Sequence, residues 1–204
     1  MKVIAGTWIA PDFSVHLLNR GTLPGPFRDL NGIRLALADL PFVPAGDLED
    51  FGRGCMAVRY SLLAAVLTAG DHGAPIPPST GVYGWNGRGC TTENLRYWND
   101  YTANGCTGGR GGLFVATLPS IPCCEAAIAL GCHGPATYLK TESSTWALFC
   151  ILATRPPGLY LVGEVMADQA CMLLVDTVQP DLIMPDCFTL ADLFRVLKEA
   201  RSAR

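Results

Sequence analysis

The chain has few charged residues and lacks any apolar run long enough to span a membrane. Charged side chains make up 16% of the 204 residues, whereas half of all residues are apolar. The longest apolar runs, such as residues 62–67 and 146–153, are far shorter than the roughly 20 residues of a membrane-spanning helix. We therefore predict no membrane span, and the high apolar content indicates that part of the surface is buried against another chain.

An excess of basic residues and an N-terminal leader are also lacking. The net charge is −3 at pH 7, whereas binding to nucleic acid requires a basic patch. Residues 1–6 contain no apolar core of a signal peptide and lead directly into a strand-like run. The sequence therefore predicts a cytoplasmic protein that does not bind nucleic acid.

The spacing of cysteine, histidine and glycine argues against three further kinds of site. Nine cysteines are present without a Cys-x-x-Cys pair, and an odd number without a secretory signal argues against a disulfide framework. His16, His72 and His133 are far apart in the sequence and form no metal-ligand pattern. The glycine-rich residues 105–112 are not followed by Lys-Ser/Thr, so they are predicted to be a loop rather than a phosphate-binding site. We expect neither a metal nor a cofactor.

Strand-like and helix-like segments alternate along the chain. Strands are predicted at 2–9, 81–85, 136–141, 159–165 and 171–178, and helices at 50–69, 91–101, 119–130, 144–154 and 189–201. This alternation predicts an α/β fold with a layered sheet, and the last two strands are expected to form an antiparallel hairpin at its edge. The length suits one domain over residues 1–204, with a C-terminal tail and helix at 182–204.

Residues 118–154 combine features that are typical of a nucleophile site. A helical run, CCEAAIALG, is followed by Gly134-Pro135, the strand-like ATYLKT, Glu142-Ser143-Ser144 and a second helical run. This segment resembles the nucleophile region of the β-ketoacyl synthases, in which a helix, a Gly-Pro and a strand ending in Thr-Ala-Cys lead into a helix. Here the Gly-Pro and Thr141 match, and Ser143 stands at the position of the catalytic cysteine.

The resemblance extends over residues 1–181 and is best from Gly81 to Glu164. Residues 159–164 stand where the family has a strand followed by Gly-Gly-Ala-Glu. It implies the N-terminal half of a thiolase-like fold: an α/β, mixed and mostly parallel sheet of about five strands with helices on both faces. The C-terminal half, which holds the two catalytic histidines of the family, has no counterpart in this sequence.

Ser143 has two interpretations. A serine nucleophile needs an adjacent general base, but His133 precedes the Gly-Pro and would lie at the far end of the predicted strand. Ser143 or Ser144 would then be a helix cap, whose oxygen accepts hydrogen bonds from the first N–H groups of the following helix. The alternative is a small serine acyltransferase or hydrolase that uses Ser143. We expect no catalytic residue in the chain.

Three neighbouring residues also have more than one interpretation. Glu142 is either an acid for proton transfer or a carboxylate paired with Lys140 or with a partner residue. Cys123 and Cys124 could be displaced nucleophiles, but their place on the preceding helix favours core packing.

The resemblance also implies where the chain would meet a partner. Ketosynthases dimerise along the strand that leads to the nucleophile, and the loop before the preceding helix reaches into the partner's acyl pocket. The residues implied at this interface and tunnel are Leu113, Phe114, Thr117, Leu118, Ile121, Tyr138, Lys140 and Glu142. Leu113 and Phe114 would close the partner's tunnel; the alternative is that both lie in the core of this chain.

The family contains a class of subunits without a nucleophile. Chain length factors of type II polyketide systems pair with an active ketosynthase, and this chain resembles a shortened one, of the kind that accompanies aryl polyene pathways. The resemblance implies a heterodimer with an active β-ketoacyl synthase in fatty-acid or polyketide-type biosynthesis, which this subunit would stabilise and whose acyl tunnel it would shape. Acyl carrier protein would be met only through the partner. A homodimeric, non-catalytic scaffold is a further alternative.

Overall fold

The computed structural model describes residues 1–44, 48–178 and 189–203. Seven strands of this part of the chain form one sheet in the order β3-β2-β1-β7-β6-β4-β5. The strands are β1 (Lys2–Ile9), β2 (Val15–Leu17), β3 (Gly21–Thr22), β4 (Gly81–Asn86), β5 (Ala136–Lys140), β6 (Leu159–Val165) and β7 (Ala170–Asp176). The α-helices are α1 (Leu30–Ala36), α2 (Met56–His72), α3 (Thr91–Ala103), α4 (Gly111–Val115), α5 (Ile121–Ala129), α6 (Ser144–Thr154) and α7 (Leu190–Ser202).

Helices cover both faces of the sheet, and each face has its own apolar core. On one face α2 and α5 pack on the sheet, and most of α2 is buried because nearly every residue from Tyr60 to Asp71 faces another element. On the other face α6 and α7 pack over side chains such as Tyr83, Trp85 and Leu173. Because side chains alternate along a strand, successive residues of β7 contribute to opposite cores.

The ends of the helices follow from local sequence. Gly73 ends α2 in a left-handed conformation with φ of 75°, which a residue with a side chain rarely adopts. Thr189 begins α7 with a capping box, in which its hydroxyl accepts from the Asp192 N–H and the Asp192 carboxylate accepts from the Thr189 N–H. In contrast, α3 begins after Cys90, whose side chain makes no capping hydrogen bond.

The α/β fold with a mixed sheet and helices on both faces is confirmed, but the sheet has seven strands rather than about five. Parallel pairing is limited to β4–β5 and β4–β6, so the sheet is not mostly parallel. The two additional strands, β2 and β3, have three and two residues and are too short to leave a periodic pattern.

The hairpin of β6 and β7 lies in the middle of the sheet, not at its edge as predicted. The reason is that β1 pairs antiparallel with β7 along nearly its whole length. The helix predicted at 50–69 is a 3₁₀ turn, Glu49–Gly52, followed by α2. The predicted loop 105–112 is shorter, since α4 begins at Gly111.

The C-terminal helix packs on this chain's own sheet. Leu190, Leu193 and Phe194 of α7 are buried in the core beneath it. Most of the predicted tail before this helix, and Cys187 with it, lie outside the described residues. The single-domain boundary over 1–204 remains a prediction.

Candidate functional site

The strand-turn-helix predicted around residue 143 is present. β5 ends at Lys140, and α6 begins at Ser144 with Ser143 as its N-cap. The Ser143 Oγ accepts a hydrogen bond from the Trp146 N–H at 3.1 Å, and the Ser143 N–H donates to the Thr141 Oγ1 at 3.1 Å. The Ser143 hydroxyl is thus used as a helix cap at an exposed position.

Ser144, the next residue, is buried, with 2% of its surface exposed, and its side chain is hydrogen-bonded to residues of β4 and β6. Its Oγ accepts from the Trp85 Nε1–H at 3.0 Å. Its own proton is donated to the Glu164 carboxylate. Ser144 is therefore enclosed between β4 and β6 and cannot reach a ligand without rearrangement.

Glu164 is a buried carboxylate in an otherwise apolar strand, with 5% of its surface exposed. One carboxylate oxygen accepts from the Leu190 N–H at 2.8 Å, at the start of α7. Burial raises the pKa of Glu164, whereas the hydrogen bonds from Leu190 and Ser144 lower it and the nearby Asp192 raises it. Glu164 thereby connects the N-terminal ends of α6 and α7, a role that sequence reasoning missed. A lone acidic residue in the run LYLVGEV was the available signal.

The described histidines lie away from Ser143. His133 donates its backbone N–H to the Pro78 carbonyl at 2.6 Å, before β5 begins. The length of β5 then separates it from Ser143 by roughly 16 Å at the usual rise per strand residue. His16 lies on β2, five strands away from β5, or about 24 Å at the usual strand spacing. His72 ends α2 beside Asp71, whose carboxylate accepts from the Gly6 N–H on β1.

Glu142 turns away from the edge of the sheet. Its side chain lies directly against Gly87, where no space remains for a Cβ atom. Among the ion pairs of the described residues, none joins Glu142 to Lys140, because Lys140 remains exposed at the edge while Glu142 folds over the glycine turn. The pairing with Lys140 that we considered is therefore not formed.

Glu142 lines a cleft of about 680 Å³ at the carboxyl ends of β4 and β6. The other charged lining residues are Arg88, Glu93, Glu164 and Asp168. Ligands of α/β proteins usually bind at this end of the sheet, outside the carboxyl ends of the strands. Four of the five charged residues that line the cleft are acidic.

Cys123 is a core residue. Its sulfur fills the space above Gly84 on β4, where a Cβ atom would not fit. Burial raises the pKa of the Cys123 thiol to about 12, and burial also raises the pKa of Cys124. Neither thiol is activated as a nucleophile would be. The eight cysteines of the described residues are all free, and the same residues contain no cluster that could hold a metal ion.

One side of β5 is open. The Val82 N–H donates to the Pro135 carbonyl at 2.8 Å, and the Thr141 N–H donates to the Asn86 carbonyl at 3.3 Å. Since alternate residues of a strand direct their backbone groups to opposite sides, the N–H and C=O groups of Ala136, Tyr138 and Lys140 face away from β4. No strand in the described part of the chain pairs with this side.

The α3–α4 arm, residues 91–118, stands off the domain. None of the residues in α3 or α4 is buried, although α3 has 13 residues. Phe114 is half exposed and packs edge-on against the Tyr97 ring at 5.8 Å, and Leu113 is partly buried. Neither residue belongs to the apolar cores of the described residues. The alternative that Leu113 and Phe114 are core residues is therefore not observed.

The arm forms a shallow cleft of about 400 Å³ that has no charged lining residue. It is lined by Thr91, Asn94, Leu95, Tyr97, Trp98, Phe114 and Thr117. Thr117 donates its hydroxyl to the Phe114 carbonyl at 2.6 Å, and Leu118 follows as an exposed residue. Ile121, by contrast, packs against the core beneath α2.

Further apolar side chains are exposed on the helices next to β5. On α6, Trp146 and Phe149 are 53% and 65% exposed, and Leu152 is also exposed. Ile128 is exposed on α5. Tyr138 lies on β5 and donates its hydroxyl to the Asn86 carbonyl at 2.9 Å. We call the open side of β5, the exposed apolar residues of α5 and α6, and the α3–α4 arm the β5-edge surface.

The predicted interface residues lie on different elements, and their role at an interface stays a prediction. Tyr138 and Lys140 lie on β5 itself, and Leu113, Phe114, Thr117 and Leu118 lie on the arm. Ile121 packs on the core, and Glu142 is exposed and lies against Gly87. The exposure of Trp98, Trp146 and Phe149 was not predicted, because an exposed aromatic residue cannot be told from a core residue by its type alone.

No protein-family model and no curated protein sequence matches the chain. Among solved structures, the chain is similar to one chain in the complex between the ketosynthase ApeO and its chain length factor ApeC from Xenorhabdus doucetiae. The match has a TM-score of 0.60 and 13% sequence identity, and it covers 97% of this chain and 91% of that chain. The two chains are therefore similar in length. This likeness shows a ketosynthase-like, thiolase-like fold, as the sequence predicted.

None of the helices in the described residues is both long enough and apolar enough to cross a membrane.

Proposed function

We propose that this protein is a non-catalytic, chain-length-factor-like subunit that forms a heterodimer with an active β-ketoacyl synthase. It stabilises the synthase and shapes the tunnel that receives the growing acyl chain. The reaction belongs to fatty-acid or polyketide-type biosynthesis, and specifically to aryl polyene formation in the cytoplasm. Acyl carrier protein contacts the complex through the synthase.

The open side of β5 carries this proposal. Three residues of a five-residue edge strand present unpaired N–H and C=O groups, and an edge of this kind is a template for a strand of another chain. Exposed apolar side chains lie on both neighbouring helices, Ile128 on α5 and Phe149 on α6. Apolar residues in such number around one edge are typical of a stable interface between chains.

The state of the nucleophile position supports a non-catalytic role. Ser143 uses its Oγ to accept the Trp146 N–H, and the described histidines are a strand length or more away. A serine without a base is a poor nucleophile. A second chain would then have to supply the chemistry, and the structural neighbour from Xenorhabdus doucetiae is a ketosynthase together with its chain length factor.

The α3–α4 arm supports a role in shaping the tunnel. Phe114 and Leu113 are on a segment that buries nothing of its own, so they are free to enter a cavity of the partner. A bulky aromatic ring at the end of an apolar tunnel limits the length of the chain that fits it. Replacing the ring by a smaller side chain is expected to lengthen the product.

The test is to co-express the tagged chain with the β-ketoacyl synthase encoded nearest to it and to measure the native mass of the purified material. We expect a one-to-one heterodimer, and a synthase that is insoluble or inactive alone. A monomer or homodimer that leaves the synthase unbound would contradict the proposal. If the heterodimer forms, Phe114→Ala is expected to shift the product distribution toward longer chains, with the exposed Val196→Ala on α7 as a matched control.

A serine acyltransferase or hydrolase remains the second candidate, because Ser143 is exposed at a helix N-terminus. It predicts that a fluorophosphonate probe labels the wild-type chain and does not label Ser143→Ala. The absence of labelling, together with a stable heterodimer, would exclude this candidate in favour of the first.

A further inference from the structure

A hydrogen-bonded chain of side chains connects the β2–β3 hairpin to α7, at the edge of the sheet opposite β5. The Lys198 Nζ on α7 donates to the Thr22 Oγ1 at 3.3 Å, and Thr22 Oγ1 lies 2.9 Å from the His16 Nδ1. On the other side of the ring, the His16 Nε2 lies 3.1 Å from the Ser14 Oγ. Ser14 in turn donates its hydroxyl proton to the Asp12 carboxylate at 2.7 Å.

These contacts determine which ring nitrogen of His16 carries the proton. Ser14 has one hydroxyl proton and gives it to Asp12, so its oxygen can only accept from His16. The His16 Nε2 must therefore carry a hydrogen. In the neutral ring the Nδ1 is then an acceptor, and Thr22 must donate to it while accepting from Lys198.

The surroundings of His16 oppose a positive charge on the ring. Half-burial is the largest cause that lowers its pKa, the nearby Lys198 lowers it further, and Asp12 raises it. The ring also stacks on Trp8 with centroids 5.1 Å apart, and the Arg195 guanidinium lies 4.6 Å from the same Trp8 ring. Arg195 is itself paired with Asp192 at 2.6 Å.

Protonation would reverse the hydrogen bond between His16 and Thr22. The new Nδ1–H would donate to Thr22, so the Thr22 oxygen would have to accept from two cations, His16 and Lys198. Since both nitrogens lie within hydrogen-bond distance of that oxygen, they are no more than about 6 Å apart. The carboxylate whose charge favours a protonated His16, that of Asp12, is hydrogen-bonded to the ring only through Ser14.

We propose that His16 is a pH-responsive clasp that holds the β2–β3 hairpin against α7 while its ring is neutral and releases it on protonation. α7 itself remains attached, because its first turn is bonded to Glu164 and the Arg201 side chain donates to the Val3 carbonyl at 2.7 Å. The part that loosens is β3, which is held by two cross-strand pairs to β2. Acidic conditions thereby open the edge of the sheet that is closed at neutral pH.

The clasp predicts a defined direction of stability with pH. His16 in the unfolded chain takes up a proton near pH 6.5, whereas the folded environment delays this uptake to lower pH. The unfolded state then binds more protons in this window, so the contribution of His16 to stability is present above pH 6.5 and is lost as the pH falls.

Nuclear magnetic resonance of the ¹⁵N-labelled full chain tests the clasp. At pH 7.5 we expect the proton of His16 on Nε2, and on titration a midpoint below 6.5. Lys198→Gln keeps a donor to Thr22 but removes the charge, so we expect the midpoint to rise. Lys2→Gln, on the far side of β1 beside Asp176, is the matched control and is expected to leave the midpoint unchanged.

Amide hydrogen exchange supplies a readout of the hairpin itself. Between pH 7.5 and 5.5, after correction for the intrinsic exchange rate, we expect several-fold faster exchange of the Leu23 N–H, which donates to the Val15 carbonyl. The change is expected to be smaller in His16→Gln. A proton on Nδ1 at pH 7.5, equal midpoints in the two lysine variants, or exchange at Leu23 that does not depend on pH would each overturn the proposal.

Discussion

The two edges of the sheet are built in opposite ways. At one edge β3 has two residues, precedes a turn with Pro24 and Pro26, and is connected to α7 through Thr22 and Lys198. At the other edge β5 has five residues and a complete row of outward-facing backbone groups. Short edge strands, prolines and charged side chains are the usual means of preventing contact with another chain. The β3 edge is the shorter of the two, and the longer open side of β5 fits the strand pairing with a partner that we propose.

The helices next to the two edges differ in the same way. α7 buries Leu190, Leu193 and Phe194 in the core and, apart from Val196, presents mainly polar residues to the solvent. α6 is apolar on nearly all sides and exposes Trp146 and Phe149. A helix that is apolar all round is normally buried on all sides. This chain therefore covers only part of α6, which fits the partner that we propose.

The largest effect is expected from a proline at the open edge. In Lys140→Pro, the lost N–H faces away from β4, so the free energy of unfolding of the isolated chain should change by less than about 1 kcal/mol. Binding to the ketosynthase should weaken at least about 100-fold, because the ring and the missing donor prevent strand pairing. Titration calorimetry with the purified synthase measures this. Lys140→Gln, which removes only the charge, should change the affinity little; equal affinity of Lys140→Pro and wild type would contradict an interface at β5.

Two adjacent serines at the start of α6 should respond differently to truncation. Ser144→Ala leaves the Trp85 Nε1–H and the Glu164 carboxylate without their partner in a buried position, which should cost about 2 kcal/mol of unfolding free energy. Ser143→Ala removes only an exposed cap and should cost about 1 kcal/mol. Urea unfolding of both variants measures the difference. A larger loss in Ser143→Ala than in Ser144→Ala would show that the cap is the more important contact.

Much of the fold could be predicted because the elements that form it are local. β1, β6 and α6 have the bounds expected from their apolar runs. The order of strands could not be read in this way. The position of β7 at the centre depends on its pairing with β1, about 170 residues earlier in the chain, and no local pattern records that contact.

The candidate site was predictable where it depends on position in the chain and not where it depends on side-chain direction. Tyr138 and Lys140 lie on the predicted strand that leads into α6. The direction of Glu142 could not be predicted, because its side chain folds over Gly87, a close approach that only the absence of a Cβ atom permits. Trp146 and Phe149 are likewise exposed because no other element of the described residues covers that side of α6. Amino-acid composition alone does not reveal which side of a helix is left uncovered.

A moderate effect is expected from polar substitutions on α6. Phe149→Ser removes an exposed ring, so the isolated chain should keep its stability within about 0.5 kcal/mol. If the partner covers α6, the affinity for the ketosynthase should fall about tenfold or more, as for other buried aromatic residues at interfaces. Val196→Ser on α7 is the matched control, since it is also exposed but lies beside the closed edge. An equal loss of affinity in the two variants would mean that the partner does not contact α6 more closely than α7.

The smallest effect concerns Glu164, whose carboxylate connects the N-terminal ends of α6 and α7. Burial raises the pKa of Glu164 above 4.5, so the folded chain retains a proton at pH values where the unfolded chain has lost it. Its contribution to stability therefore decreases as the pH rises from about 4.5 through the raised pKa. Glu164→Gln can still accept from the Leu190 N–H and has no proton to lose, so its unfolding free energy should vary less over this range.

Denaturant unfolding between pH 4.5 and 8 measures the difference in slope between wild type and Glu164→Gln. Asp71→Asn provides a comparison on the other face of the sheet, because burial also raises the pKa of Asp71 and its carboxylate accepts from the Gly6 and Asn19 N–H groups. The two substitutions should remove separate parts of the slope, since the groups share no partner. A slope in Glu164→Gln equal to that of wild type would mean that Glu164 is ionised in the folded chain as readily as in the unfolded one, and that the hydrogen bonds from Leu190 and Ser144 outweigh its burial.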